Sequence, residues 1–176
     1  IVGGSLGART LNESVLQYID LIRESGVQFI WQTGKYYYAD IQAQISPLAA
    51  HLTNLTVTDF ISDMGAAYKA ADLVVSRAGA GSISEFCLLG KPVILVPSPN
   101  VAEDHQTKNA LALVNKEAAL YVKDAEAPKL LLPMAIDAVK DDAKLASLSE
   151  NILKLALPAS AEIIAKEVIK LAENNN

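Results

Sequence analysis

One cysteine, Cys87, stands among the 176 residues, so no internal disulfide can staple this chain. It falls in an apolar stretch and reads as a small core residue, and its isolation fits a reducing compartment. No apolar run approaches the roughly 18 residues that a membrane-spanning helix needs. No secretory signal is visible. Basic residues are not in excess: the formal net charge is −5, which argues against a general nucleic-acid binder. The two histidines, His51 and His105, lie in different regions without ligand spacing, so no metal site is expected and His51 reads as a surface residue. No repeat is present, and the only low-complexity segment is the tail 174–176, expected to fray. The first position lacks Met. Ile1 and Val2 read as the last residues of a strand that begins elsewhere, so the expectation is a fragment cut at a domain edge.

What is present is globular in kind. The chain is 51% hydrophobic and 20% charged, and long enough for one domain with a full core. Strand and helix signals alternate. Strands are expected at 28–32, 55–58, 73–75, 93–96 and 119–122, after the opening Ile1-Val2. Helices are expected at 10–24, 35–45, 63–70, 82–89 and 104–115. Beyond 122 the pattern is helical, broken by Pro133 and Pro158. Such alternation predicts βαβ units, hence an α/β fold with a Rossmann-like parallel sheet and helices on both faces. Ligands bind such sheets at the carboxyl edge of the strands.

The most informative stretch is Asp72-Leu73-Val74-Val75-Ser76-Arg77-Ala78-Gly79-Ala80-Gly81-Ser82-Ile83-Ser84-Glu85. A short apolar strand runs into a turn of small residues and then a helix. That geometry leaves backbone N–H groups free for an anion, and the helix dipole favours negative charge there. Glu85 lies where a carboxylate can accept from sugar hydroxyls beside a bound phosphate, or simply favour its own helix N-terminus. A second glycine turn, Gly3-Gly4-Ser5-Leu6-Gly7, opens the chain. Its spacing is not that of a dinucleotide fingerprint, and by itself it is as readily a tight turn as a phosphate cradle. Ser5 can donate a hydroxyl or cap the next helix. Arg9 can reach a phosphate or pair with Glu13. Two such turns in one open sheet suggest a nucleotide with more than one phosphate. A third cluster, Glu103-Asp104-His105-Gln106-Thr107-Lys108-Asn109, follows a proline-rich loop. Asp104 suits an N-cap, and His105, Gln106 and Asn109 suit hydroxyls and amides. The run Tyr36-Tyr37-Tyr38 suits partial burial or stacking on a base.

These segments in this order resemble the C-terminal, donor-binding domain of the MurG family, the N-acetylglucosaminyltransferases of bacterial peptidoglycan synthesis. The resemblance spans nearly the whole chain. It rests above all on Ser76-Arg77-Ala78-Gly79-Ala80-Gly81-Ser82-Ile83-Ser84-Glu85 and Asp104-His105-Gln106-Thr107-Lys108-Asn109-Ala110, with Gly90-Lys91-Pro92 between them. It implies one half of a GT-B glycosyltransferase, and transfer of GlcNAc from UDP-GlcNAc to lipid I with inversion. It further implies that residues 1–176 form a single UDP-GlcNAc-binding domain. By the same resemblance the Ile61 backbone meets the uracil and Glu85 holds the ribose hydroxyls. Gly4 and Ser5 face the diphosphate from one side; Ala78, Gly79, Ala80, Gly81 and Ser82 face it from the other. His105, Gln106 and Asn109 then read the GlcNAc hydroxyls, with Gln106 alternatively supporting its helix start. No catalytic residue, metal or cofactor is implied here. The base, the lipid I contact and the membrane contact belong to an N-terminal half absent from these residues. The setting implied is the cytoplasmic face of the bacterial inner membrane. The helices around 142–156 and 159–173 are expected to pack on that other half. Two other readings share the architecture: half of a UDP-GlcNAc 2-epimerase, and a non-catalytic nucleotide-sugar binding module.

Overall fold

The computed structural model describes residues 1–173, apart from the side chain of Ala102; the tail expected to fray, 174–176, lies outside the described residues. Strand β1 (Phe29–Gln32) pairs with β2 (Leu55–Thr58), and β3 (Val74–Ser76), β4 (Val93–Leu95) and β5 (Leu120–Tyr121) pair in that order, all parallel. Val2 joins the two groups, bridging Gln32 on one side and Ser76 on the other. With Val2 counted as the first strand, the order across the sheet is 3-2-1-4-5-6. This is the doubly wound order, and its direction reverses between the first and fourth strands. The turns that leave Val2 and β3 therefore flank one crevice at the carboxyl edge.

Both faces of the sheet are covered, as the alternation of strand side chains requires. Val75 and Ile94 point into a core with Leu11 and Val15 of α1 (Arg9–Gln17), Ile41 of α3 (Tyr38–Ile45) and Leu131 and Leu132 of α7 (Ala127–Val139). Val74, Val93 and Leu95 point the other way. They meet Tyr68 of α4 (Met64–Ala70), Phe86 of α5 (Ala80–Leu89), Leu113 of α6 (His105–Val114) and Ile152 of α8 (Asp142–Leu153). Cys87 is buried in this second core, as expected of it. His51 is exposed.

Several boundaries differ from the sequence reading. The helix expected over 10–24 is two: it breaks at Tyr18 and resumes as α2 (Ile19–Glu24). Pro133 does not interrupt α7, although it has no N–H to give the carbonyl of Lys129 four residues back. The Tyr18 hydroxyl donates to that same Lys129 oxygen at 2.9 Å. One side chain thus supplies the hydrogen bond that the proline removes. The helix α8 does not wait for another half. Its Leu148 and Ile152 are buried within this domain, and Ser149 Oγ donates to the Gly90 carbonyl at 2.6 Å, closing the end of α5. Only α9 (Ser160–Glu173), beyond Pro158, buries no residue, and it leaves Ile163, Ile164, Val168, Ile169 and Leu171 exposed.

Close packing at the carboxyl edge requires glycine at two facing positions. Gly7 (φ +84°) and Gly34 (φ +82°) lie against one another: a methyl on Gly34 would fall 2.1 Å from the Gly7 nitrogen. Gly34→Ala is expected to cost at least about 2 kcal/mol from strain and collision together, read as a shifted denaturation midpoint. An unshifted midpoint would show that this contact yields without cost.

Candidate functional site

The first turn is held from below by a buried glutamine. Gln32 ends β1 at 2% exposure. Its Oε1 accepts from the Gly3 N–H at 3.2 Å, and its Nε2 donates to the carbonyls of Gly4 at 2.8 Å and Asp59 at 3.2 Å. Gly4 takes φ +82°, and the Gly7 N–H closes the turn on the Gly4 carbonyl at 2.9 Å. Helix α1 then starts after Ala8 with no side-chain cap. Ser5 therefore does not cap it; it sits exposed at the turn. The N–H groups of the first turn of α1 remain for solvent or a ligand. A second buried amide steadies this wall: Asn12 accepts from Trp31 Nε1 at 3.0 Å and donates to the Thr33 carbonyl at 2.9 Å. Arg9 pairs with Glu13 at 2.7 Å on an exposed face, the alternative weighed for it from the sequence.

The second turn is built the same way. Ala78 is wholly buried. Its N–H donates to Gln106 Oε1 at 3.2 Å, and its carbonyl accepts from Asn109 Nδ2 at 3.2 Å. Gln106 Oε1 also accepts from the Ser98 N–H at 2.9 Å. The Ala78 N–H expected to face a diphosphate is thus already bonded within the protein. Gln106 and Asn109 each give half of their amide to holding this turn. Among the described residues, Gln106 Nε2 and Asn109 Oδ1 have no other hydrogen-bond partner. Asp104, expected as an N-cap, makes no cap bond: it takes φ 52° after Glu103 at φ 54°, which turns its side chain off the helix end. His105 is the exposed first residue of α6.

Helix α5 starts after Gly79, again with no side-chain cap. Gly79 and Gly81 differ in kind from Gly7 and Gly34. Neither has positive φ, and a methyl built on either meets no atom within 4 Å. The protein's own packing does not require glycine there. Open space lies where a side chain at either position would stand.

A single carboxylate clasps the two walls together. Asp124, just after β5, accepts from Thr10 Oγ1 in α1 at 2.9 Å and from Arg77 Nη1 beyond β3. The same Arg77 nitrogen donates to the carbonyls of Val96 at 3.1 Å and Pro97 at 3.2 Å. Arg77 and Asp124 are largely buried, at 17% and 18% side-chain exposure. Arg77 therefore braces the strand ends.

Glu85 lies one turn beyond Gly81 on the same face of α5. It is exposed, yet one oxygen is occupied: the Tyr68 hydroxyl donates to Oε2 at 3.2 Å. Burial first, and then the charge of Glu85, push the Tyr68 phenol up to about 12. Ile61 is half-buried in the loop before α4. A cavity of about 510 Å³ opens nearby, lined by Ile61, Met64 and Tyr68 and by the starts of β1 and β3. Neither glycine turn lines it. The uncapped N–H groups at the starts of α1 and α5 lie instead at the turns that flank the crevice. Gln32, Tyr68 and Asp124 were not legible as site residues. Gln32 alone left a trace, a polar residue closing an apolar strand.

Asp124→Ala removes the acceptor of Thr10 Oγ1 and the carboxylate paired with Arg77. It is expected to cost about 2–3 kcal/mol by urea denaturation. A loss below about 0.5 kcal/mol, the scale of an ordinary surface change, would mean that the clasp does not hold the walls.

Residues 1–167 match the family model described as the glycosyltransferase family 28 C-terminal domain. The UDP-N-acetylglucosamine--N-acetylmuramyl-(pentapeptide) pyrophosphoryl-undecaprenol N-acetylglucosamine transferase of Bacteroides thetaiotaomicron is 67% identical over 177 residues, covering 100% of this chain and 47% of that protein. The protein of the same name from Porphyromonas gingivalis is 53% identical over 174 residues, covering 99% of this chain and 45% of that protein. The chain spans about half the length of the curated relatives it matches. Among solved structures, Acinetobacter baumannii MurG has a TM-score of 0.81 at 30% identity, over 96% of this chain and 48% of that one. A glycotransferase of kitacinnamycin shares the fold, with a TM-score of 0.67 at 21% identity over 94% of this chain and 41% of that one. With both glycine turns, the doubly wound order and the family model agreeing along its length, the chain belongs to the MurG family as a glycosyltransferase family 28 C-terminal domain.

Proposed function

We propose that this chain is the donor-binding half of an inverting glycosyltransferase that moves GlcNAc from UDP-GlcNAc to undecaprenyl-pyrophosphoryl-MurNAc-pentapeptide, turning lipid I into lipid II. The observation that carries this reading is the pair of uncapped helix starts, α1 and α5, opening on one crevice at the sheet's reversal point. A diphosphate there receives N–H donors from both walls. As the glycosidic bond breaks, negative charge grows on the departing UDP, and fixed donors and helix dipoles favour that charge without having to reorganise. In this reading Gly4 and Ser5 face the diphosphate from one wall, and Gly79, Ala80, Gly81 and Ser82 face it from the other. Ala78 supports the second wall through its bonds to Gln106 and Asn109. The Ile61 backbone meets the uracil and Glu85 accepts from the ribose hydroxyls. His105, with the remaining amide groups Gln106 Nε2 and Asn109 Oδ1, reads the GlcNAc. The base and the lipid I groove belong to an N-terminal domain facing this crevice, at the cytoplasmic face of the inner membrane. Residues 1–176 alone then bind donor without transferring it.

Calorimetric titration tests the donor assignment directly. UDP and UDP-GlcNAc are expected to bind in preference to ADP; tighter binding of ADP or NAD would sink the uridine reading. Gly81→Ala separates the ligand from the fold. Alanine is the better helix former, so the variant should be unchanged or more stable by up to about 1 kcal/mol. UDP affinity should nevertheless fall at least about tenfold, since a methyl fills the space that the phosphate approaches. Retained UDP affinity in Gly81→Ala would show that the open space is not the ligand's.

A further inference from the structure

Tyr68 has no place in the donor reading, yet among the described residues it makes the one hydrogen bond to the Glu85 side chain. It is 7% exposed, with its ring edge-on to Phe86 at 5.4 Å and 74° in the core beneath α5. Its hydroxyl meets Glu85 Oε2 at 3.2 Å. A buried ring has one position, so its hydroxyl is a fixed donor. An exposed glutamate is otherwise free to sample several rotamers. A carboxylate has two oxygens and several acceptor sites, so accepting one hydrogen bond leaves the other oxygen available. The phenol, pushed up to about 12, stays protonated and donating throughout ordinary pH.

The element that carries Tyr68 matters as well. Helix α4 begins directly after the Ile61 loop, and Asp63 caps it by accepting from the Ala66 N–H at 2.8 Å. The loop at Ile61 and the residue that steadies Glu85 are therefore parts of one capped segment. A loop residue that would recognise a base and a helix residue that would recognise a ribose are thus joined through a single hydroxyl.

Building on the donor reading above, we propose that Tyr68 is a positioning residue for nucleotide recognition. It pins one oxygen of Glu85 so that the other is presented to the ribose diol of a uridine diphosphate. It touches no ligand itself. Its removal should lower discrimination for a ribose hydroxyl more than it lowers stability.

The test is a cycle of titrations with UDP, 2′-deoxy-UDP and 3′-deoxy-UDP on the wild type, Tyr68→Phe and Glu85→Ala. Phenylalanine keeps the ring against Phe86, so the core is preserved, which a thermal melt verifies. In the wild type, loss of the hydroxyl that Glu85 holds should weaken binding about tenfold or more, the worth of a hydrogen bond to a charged group. Glu85→Ala should erase that penalty. Tyr68→Phe should shrink it to about two- to threefold and weaken UDP itself several-fold, while leaving the deoxy ligand nearly unchanged. If the penalty persists in full in Tyr68→Phe, the tyrosine only fills the core and the proposal fails, with the role of Glu85 intact. If the wild type binds UDP but shows no penalty for either deoxy ligand, Glu85 does not hold the ribose and Tyr68 has nothing to position. If the wild type does not bind UDP at all, the donor reading fails first.

Discussion

Everything at the carboxyl edge depends on satisfying backbone groups where two strands run out into turns of small residues. There the sheet ladder ends and the helix ladder has not begun, so N–H and C=O groups have no regular partner. In the interior, each such group left unbonded costs about 1–3 kcal/mol. The protein meets this twice with the same device. Gln32 accepts from Gly3 and donates to Gly4, as a carboxamide can do both at once. At the other turn the work is divided: Gln106 accepts from Ala78 and Asn109 donates to it. Because these amides take the inner backbone groups, the outer ones, at the starts of α1 and α5, are left facing the crevice.

The amides fix each turn, and Asp124 fixes the turns relative to one another. Its two oxygens reach Thr10 and Arg77 across the reversal point, and Arg77 reaches on to the ends of β4 and the loop beyond it. A largely buried pair sets the width of the crevice more firmly than exposed ion pairs such as Arg9–Glu13 can. The arginine beside the second turn thus acts on the frame, and the helix starts supply the positive potential.

The glycines divide along the same line. Gly7 and Gly34 are dictated by the fold, through positive φ and approach to neighbouring backbone. Gly79 and Gly81 answer to nothing inside the protein. Gly81, inside the first turn of α5, gives up helix stability with no packing gained in return, and that is what the donor reading accounts for. In sequence the two kinds are indistinguishable, since both stand in short runs of small residues after a strand.

The sequence by itself determined the layer architecture, because alternation of short apolar runs with amphipathic stretches is local information. It also determined the two anion-type turns, since strand, small-residue turn and helix follow one another along the chain. Only the tertiary structure decided which polar groups remain for a ligand. Ala78 read as a phosphate donor until its N–H met Gln106, 28 residues away. Tyr68 and Asp124 carry no local sign of their roles, because their partners lie 17 and 47 or more residues off. Pro133 read as a break until Tyr18, brought across from α1's end, supplied the bond it lacks. Helix α8 joined this domain because Leu148 and Ile152 found burial here. The periodicity of a chain says which groups must be buried or bonded; only the folded arrangement says by whom.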